Sequence, residues 1–485
     1  MAKKRRPGKS FIENGKPVTE AQGLRPRLKS FFAHYDFIIL FLFIFFCYNT
    51  VSTITMSGDT IPAAFLPLAL IDDHSIFFDG PFIQGLYSNR IHSPDVAYAF
   101  PVINGHTVSF FPIVTPLLVT PLYGFFSLLC WILNVPVTFS LVGDFAKTSA
   151  SCLAAASCVL VYLTGKELFP VKTALITTCV YAFATSTWSV SSQALWQHGT
   201  VELLLILMIY LIIRNERDQS RNTIIFLGLL TGLFIFNRPP DAILLLPFIG
   251  YVVWYERKNL PVYAISAAAT GLPFLVYNLS IFGNVFGGYK QNLDFFAFSL
   301  DSIGNFVGLL IAPNVGLLVF SPVLVLSFFG YLKLHTISSL RIRQVLVVFG
   351  PAIILEILVY SFFGLWESSV AFSYGQRFLT GFIPVLAIFI GIVVNEYFIA
   401  RPENSWARAV QISIILLIVL SVIIQAIGVF LYPLYPDRST SSERTWDWDH
   451  SIVIESFWFG FFHIPSITMK NVPPFPPLFR IPIHS

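Results

Sequence analysis

The chain has 485 residues, 55% of them hydrophobic, 16% aromatic and only 12% charged, with a net charge of +4. Soluble globular domains carry about a quarter charged residues, so that class is excluded. Apolar runs of about 17–25 residues, enough to cross a hydrocarbon core roughly 30 Å thick, recur between Asp36 and Leu431. The class is an all-α polytopic membrane protein.

Residues 1–35 read as a cytoplasmic basic tail. Residues 1–29 hold nine Lys/Arg against Glu13 and Glu20. Such a tail can meet nucleic acid or anionic lipid. The positive-inside rule gives the simpler reading, an anchor that keeps the N-terminus inside, and no nucleic-acid partner is expected. The next stretch stays apolar to about residue 56 without a small-residue cleavage site, so it reads as a span and not as a removed signal. Cys47, Cys130, Cys152, Cys158 and Cys179 all lie in apolar segments and read as core residues.

Basic loops then set the topology. Short loops at 166–172, 214–221, 256–258, 333–343 and 401–408 carry Lys and Arg and read as cytoplasmic. Their regular alternation conflicts with one segment. If 108–133 crossed the bilayer, every later basic loop would lie outside. Pro112, Pro116 and Pro121 interrupt that segment, and proline inside a helix costs about 3 kcal/mol. It therefore reads as a broken or interfacial helix within a long first outer loop, 57–145. Eleven spans follow: 36–56, 147–165, 173–190, 199–213, 223–236, 241–255, 260–282, 316–332, 345–363, 378–399 and 409–431. They form a domain over 36–431, followed by an extracytoplasmic tail, 432–485, rich in Pro and aromatics and suited to hugging the surface.

Polar residues collect on the outer side of this arrangement. Asp59 stands just past the first span, and a carboxylate at the mouth of a membrane helix is costly to place and a functional candidate by default. Asp72, Asp73, His74, Asp79 and His106 follow in the same loop. Later outer loops supply Gln197 and His198, then Arg238 and Asp241, then Tyr289 and Lys290, then Arg377. One carboxylate among several cations has its own logic. The acid takes a proton from an attacking hydroxyl, while Arg, Lys and His hold an anionic leaving group. Arg pairs with phosphate in two parallel bonds and keeps its charge when partly buried. No P-loop, nucleophile elbow, His-Glu-x-x-His or paired Cys-x-x-Cys is present.

Each residue also has a plain structural reading. Asp59 could cap a helix beginning near Thr60, Asp79 could be a turn acid before Gly80-Pro81, and Arg238 and Arg377 could snorkel to the interface. His198 could satisfy a neighbour at a helix end, and Lys290 with Tyr289 could simply face water. Asp72, Asp73 and His74 are the one cluster suited to a divalent metal, although adjacent acids are commonly solvated. No cofactor is expected.

In order along the chain, Gly58-Asp59-Thr60-Ile61-Pro62, Leu66-Pro67, Phe78-Asp79, Gly105-His106 and Ser109-Phe110-Phe111-Pro112 are followed by Leu195-Trp196-Gln197-His198-Gly199, Asn237-Arg238-Pro239, Gly288-Tyr289 and Gly375-Gln376-Arg377. This series, covering about 55–400, resembles the GT-C glycosyltransferases, the polytopic enzymes that include protein O-mannosyltransferases and the aminoarabinose transferase of lipid A. The resemblance implies a GT-C-like bundle with membrane-surface helices in its first loop. It also implies inverting transfer of a sugar from a polyprenyl-phosphate donor to a hydroxyl acceptor (lipid, glycan or protein) at the outer face of the plasma (inner) membrane. Asp59 would be the general base, with Asp79 as a second catalytic acid and Asp72 and Asp73 competing for that role or contacting substrate. Arg238, Arg377, Lys290 and His198 would hold the donor phosphate, and Tyr289 and Gln197 would touch substrate. The large soluble domain of several family members is missing. Two other classes remain: a lipid-linked polysaccharide polymerase, ligase or flippase, and a secondary transporter. The latter would favour a repeat with paired broken helices, and none is evident.

Overall fold

A computed structural model describes residues 21–50, 57–91, 96–297, 301–368, 373–399, 402, 404–434 and 442–467. It is helical almost throughout; one two-stranded ribbon, Val102–Ile103 with His106–Thr107, interrupts the first loop. Helix α1 (Ala21–Tyr48) leads into α2 (Ile61–Asp72), α3 (Pro81–Ile91), α4 (Val114–Ile132), α5 (Phe139–Leu168), α6 (Val171–Phe183), α7 (Gln197–Asp218) and α8 (Arg221–Asn237). The second half holds α9 (Leu246–Tyr255), α10 (Leu260–Phe282), α11 (Asp301–Ile311), α12 (Leu317–Phe320), α13 (Val325–Leu332), α14 (Leu340–Ser361), α15 (Ile383–Val393), α16 (Ser405–Phe430), α17 (Ser442–Thr445) and α18 (Ile452–Ile467).

Among the described residues, six helices are long and apolar enough to cross a membrane: Val114–Ile132, Phe139–Leu168, Gln197–Asp218, Arg257–Phe282, Leu340–Ser361 and Ser405–Phe430. Five of them coincide with expected spans. Most other expected spans coincide with shorter apolar helices or with helical pieces in series, such as Pro239–Leu245 running into α9. The exposed side chains of α16, including Ile412, Leu416, Val419 and Ile423, form the apolar outer stripe of a helix that faces lipid.

The sixth helix, Val114–Ile132, corrects one part of the reading of 108–133 as a broken or interfacial helix. It is not broken. Pro112 precedes it, and Pro116 sits in its first turn, where the missing N–H would have had no intrahelical partner. Only Pro121 lies in the interior, and the helix runs through it. One face of it packs inside the first-loop cluster: the rings of Tyr123, edge-on, and Phe126, tilted, lie 5.6 and 5.0 Å from Phe145 near the start of α5. That cluster, built from α2, α3, α4 and the first turns of α5, is separate from the core of the main bundle.

Packing inside the bundle relies on close backbone approach. Gly228 and Gly232, four residues apart on α8, face α10, and a methyl group on either would overlap backbone atoms at Tyr263 and Ala267. Between apolar helices in lipid there is little hydrophobic drive, so small residues that admit close contact supply the attraction. At the C-terminal end Asn314 does the joining. Its Nδ2 donates to the carbonyls of Arg444 (2.6 Å), Asp447 (3.2 Å) and His450 (3.3 Å), and its Oδ1 accepts from Ile452 N (2.6 Å).

The basic loops meet one another. Arg217 pairs with Glu167 (3.1 Å), Asn215 Nδ2 donates to Glu256 (3.1 Å), Ser339 Oγ donates to Glu216 (2.5 Å) and Lys333 pairs with Glu396 (2.5 Å). Asp36 of α1 joins them through Lys166 (2.8 Å). Three of the loops expected on one side of a membrane, 166–172, 256–258 and 333–343, thus meet a fourth, 214–221.

Candidate active site

A cavity of about 800 Å³ opens among the first loop, the start of α7, the 238–240 turn, the 286–296 segment and the 377–378 turn. Its lining is largely apolar, with Phe110, Phe111, Phe286, Phe295 and Phe363 among the residues, and polar groups share it.

Asp59 lies in the turn that opens α2, yet it does not cap that helix. The residue before α2 is Thr60, whose side chain makes no capping bond. Instead both Asp59 carboxylate oxygens point at partners from distant segments. Oδ1 accepts from the Tyr98 hydroxyl at 2.7 Å, and Oδ2 meets Arg377 Nη2 at 2.7 Å. The Arg377 side chain is 5% exposed and lies 4.6 Å over the Trp196 ring and 5.1 Å over Phe378. A guanidinium between aromatic faces keeps its charge while its fork is aimed by packing.

Arg238 lines the same cavity but is held differently. It is bonded through Nη1 to Asp241 and lies 5.2 Å over the Tyr360 ring. Tyr360 Oη in turn donates to Asp241 Oδ1 (3.2 Å). The ring of His198 also lines the cavity; it is buried, and its Nδ1 has no hydrogen-bond partner among the described residues. Buried polar atoms are normally paired, so the sealed Nδ1 is an exception beside the cavity that the same ring lines. Gln197 is fixed from two sides. Its Oε1 accepts from Tyr289 (2.7 Å), and its backbone carbonyl accepts from Asn237 (3.0 Å), which is tied to α4 through Thr115 (2.7 Å). Burial pushes the Tyr289 phenol up to about 12 despite the lowering effect of Arg238. It therefore stays protonated and donates.

The structure thus gathers Asp59, Gln197, His198, Arg238, Tyr289 and Arg377 around one space, and holds the other four expected residues elsewhere. Asp79 ties down the ribbon: it accepts from Thr107 N (2.9 Å) and pairs with His106 Nδ1 (2.9 Å). Asp73 accepts from Phe82 N (2.9 Å) and Ile83 N (3.1 Å), which are otherwise orphaned amides at the start of α3. Asp72 is exposed on the last turn of α2, where burial and the neighbouring Asp73 raise its pKa. Lys290 is exposed beside Tyr289 and does not line the cavity. Among the described residues no group of three or more His, Cys, Asp or Glu is arranged to hold a metal ion.

Four residues of the site were given no role by the sequence reading: Tyr98, Trp196, Asp241 and Tyr360. Asp241 follows Arg238 by three positions and Trp196 adjoins Gln197, so local pairing and stacking rules pointed toward those two. Tyr98 and Tyr360 reach the site only through the tertiary fold.

No curated protein matches the chain. Residues 127–281 do match a family model, and that stretch contains Trp196, Gln197, His198, Arg238 and Asp241 but neither Asp59 nor Arg377. The family is that of dolichyl-phosphate-mannose-protein mannosyltransferases, so over this stretch the chain is similar to membrane glycosyltransferases of the GT-C type.

Proposed function

We propose that the protein transfers a sugar, with inversion, from a polyprenyl-phosphate donor to a hydroxyl acceptor at the extracytoplasmic face of its membrane. The observation that carries this reading is the pairing of Asp59 with Arg377 at a largely apolar cavity that Arg238 and His198 also line. The acceptor oxygen attacks the anomeric carbon as the bond to the phosphate oxygen breaks. Asp59 takes the hydroxyl proton, and the phosphate leaves with the bonding electrons. Arg377 and His198 hold that charge as it develops, where fixed donors lower a barrier most effectively. The apolar lining suits the first isoprene units of the donor.

The test is Asp59→Asn. A general base typically contributes about 10²–10⁴-fold, and asparagine keeps the size and one acceptor oxygen while losing that function. The variant should fold, bind donor and lose nearly all transfer, assayed by release of polyprenyl phosphate in membranes. Activity close to wild type would sink the reading.

A further inference from the structure

Asp59 Oδ1 is occupied, and by a hydroxyl. The Tyr98 phenol donates to it at 2.7 Å, which is the reach within which a base must hold the proton it removes. Tyr98 sits on the short turn Ala97–Ala99, is 45% exposed and forms part of the cavity wall. Burial and the nearby Asp59 carboxylate both push its pKa up, so it remains an O–H donor. The residue preceding the base is built around this contact. A Cβ at Gly58 would overlap the Tyr98 hydroxyl and ring, so only glycine lets the phenol lie there.

We propose that Tyr98 is a positioning residue whose hydroxyl stands in for the acceptor: it fills the acceptor-hydroxyl position on Asp59 in the empty site and yields it when substrate enters. The proposal rests on Asp59 being the base. An alcohol and a phenol offer the same donor to the same oxygen, so exchange of one for the other keeps the carboxylate satisfied throughout. Because the turn carrying Tyr98 is short and half open, the phenol can leave without disturbing α2. Until then the phenol excludes water from Oδ1, which disfavours wasteful transfer of the sugar to water.

The test needs no substrate. The full-length protein in membranes is treated with a hydrophobic carbodiimide, and modification of Asp59 is followed by mass spectrometry of the peptide containing it. Tyr98→Phe keeps the ring and removes only the donor. Gly58→Ala keeps the donor and pushes it away. Both should speed modification by about ten- to a hundredfold, the weight of one hydrogen bond to a charged group. Tyr289→Phe, which removes a cavity phenol that bonds Gln197 instead, should leave the rate where it was. Equal rates in wild type, Tyr98→Phe and Gly58→Ala overturn the proposal, as does an equal acceleration by Tyr289→Phe. If Asp59→Asn transfers sugar normally, the base reading falls instead, and the labelling rates still report whether Tyr98 covers Oδ1.

Discussion

Two aspartate–arginine pairs flank the same cavity, and their surroundings make them different devices. Asp241 and Arg238 are three residues apart on one turn, 0% and 3% exposed, and both are engaged by Tyr360. Asp59 and Arg377 come from distant parts of the chain, and although the arginine is 5% exposed the carboxylate keeps 18% exposure. A pair sealed from solvent has exchanged its hydration for fixed partners, and loss of either member leaves an uncompensated charge. A pair left partly open can be taken apart by an incoming hydroxyl or phosphate. The first holds the wall in place, and the second is available for chemistry.

The largest effect that separates them is on rate. Asp59→Asn should cut transfer by about 10²–10⁴-fold, with a smaller loss of stability than Asp241→Ala because the asparagine oxygen can still accept from the buried Arg377. Asp241→Ala should do the opposite and destabilise the protein by about 3–5 kcal/mol, because Arg238 is left buried and unpaired. Thermal unfolding in detergent reads this, and a stable Asp241→Ala chain with normal unfolding breaks the contrast. Next comes Arg377→Ala, which removes one charge-assisted contact worth roughly 1.5–3 kcal/mol and should lower transfer by about ten- to a hundredfold. Arg377→Lys should recover only part of that, since a point charge lacks the planar fork that stacks on Trp196.

The smallest effect belongs to Asp79, outside the cavity. Burial acts to raise its pKa but is outweighed by the Thr107 amide and His106, so it is held below the usual 3.8. A carboxylate so lowered stabilises the fold above its unfolded value and loses that contribution as pH falls through the folded one. The stability gap between wild type and Asp79→Ala should therefore be present at neutral pH and close below pH 3.8, while transfer activity stays nearly unchanged.

Much of this was legible in the residues, and the boundary has physical causes. Apolar run length and loop charge located the helices, because a bilayer imposes its thickness and its charge asymmetry on any sequence. Proline misled at 108–133, because position within a helix, and not mere presence, decides whether proline breaks it. Asp59, His198 and Arg377 stood out because polar groups are rare in such a chain. Asp73 and Asp79 stood out for the same reason, yet both satisfy backbone amides of the first loop. A polar residue at a membrane surface is equally useful for capping a turn, and only the fold separates the two uses. Tyr98 and Tyr360 were invisible because aromatics are everywhere in this composition, so nothing local marks the two that reach the acids of this site.

Asn314 has a consequence for the order in which the molecule is made. Its amide holds four backbone groups between Arg444 and Ile452, and these are synthesised about 130 residues after it. Chains emerge N-terminus first, so the helices around Asn314 enter the membrane with that amide still solvated. Docking of α17 and α18 therefore belongs to the end of assembly. Asn314→Ala should yield a bundle whose earlier helices are inserted but whose C-terminal segment is open to added protease.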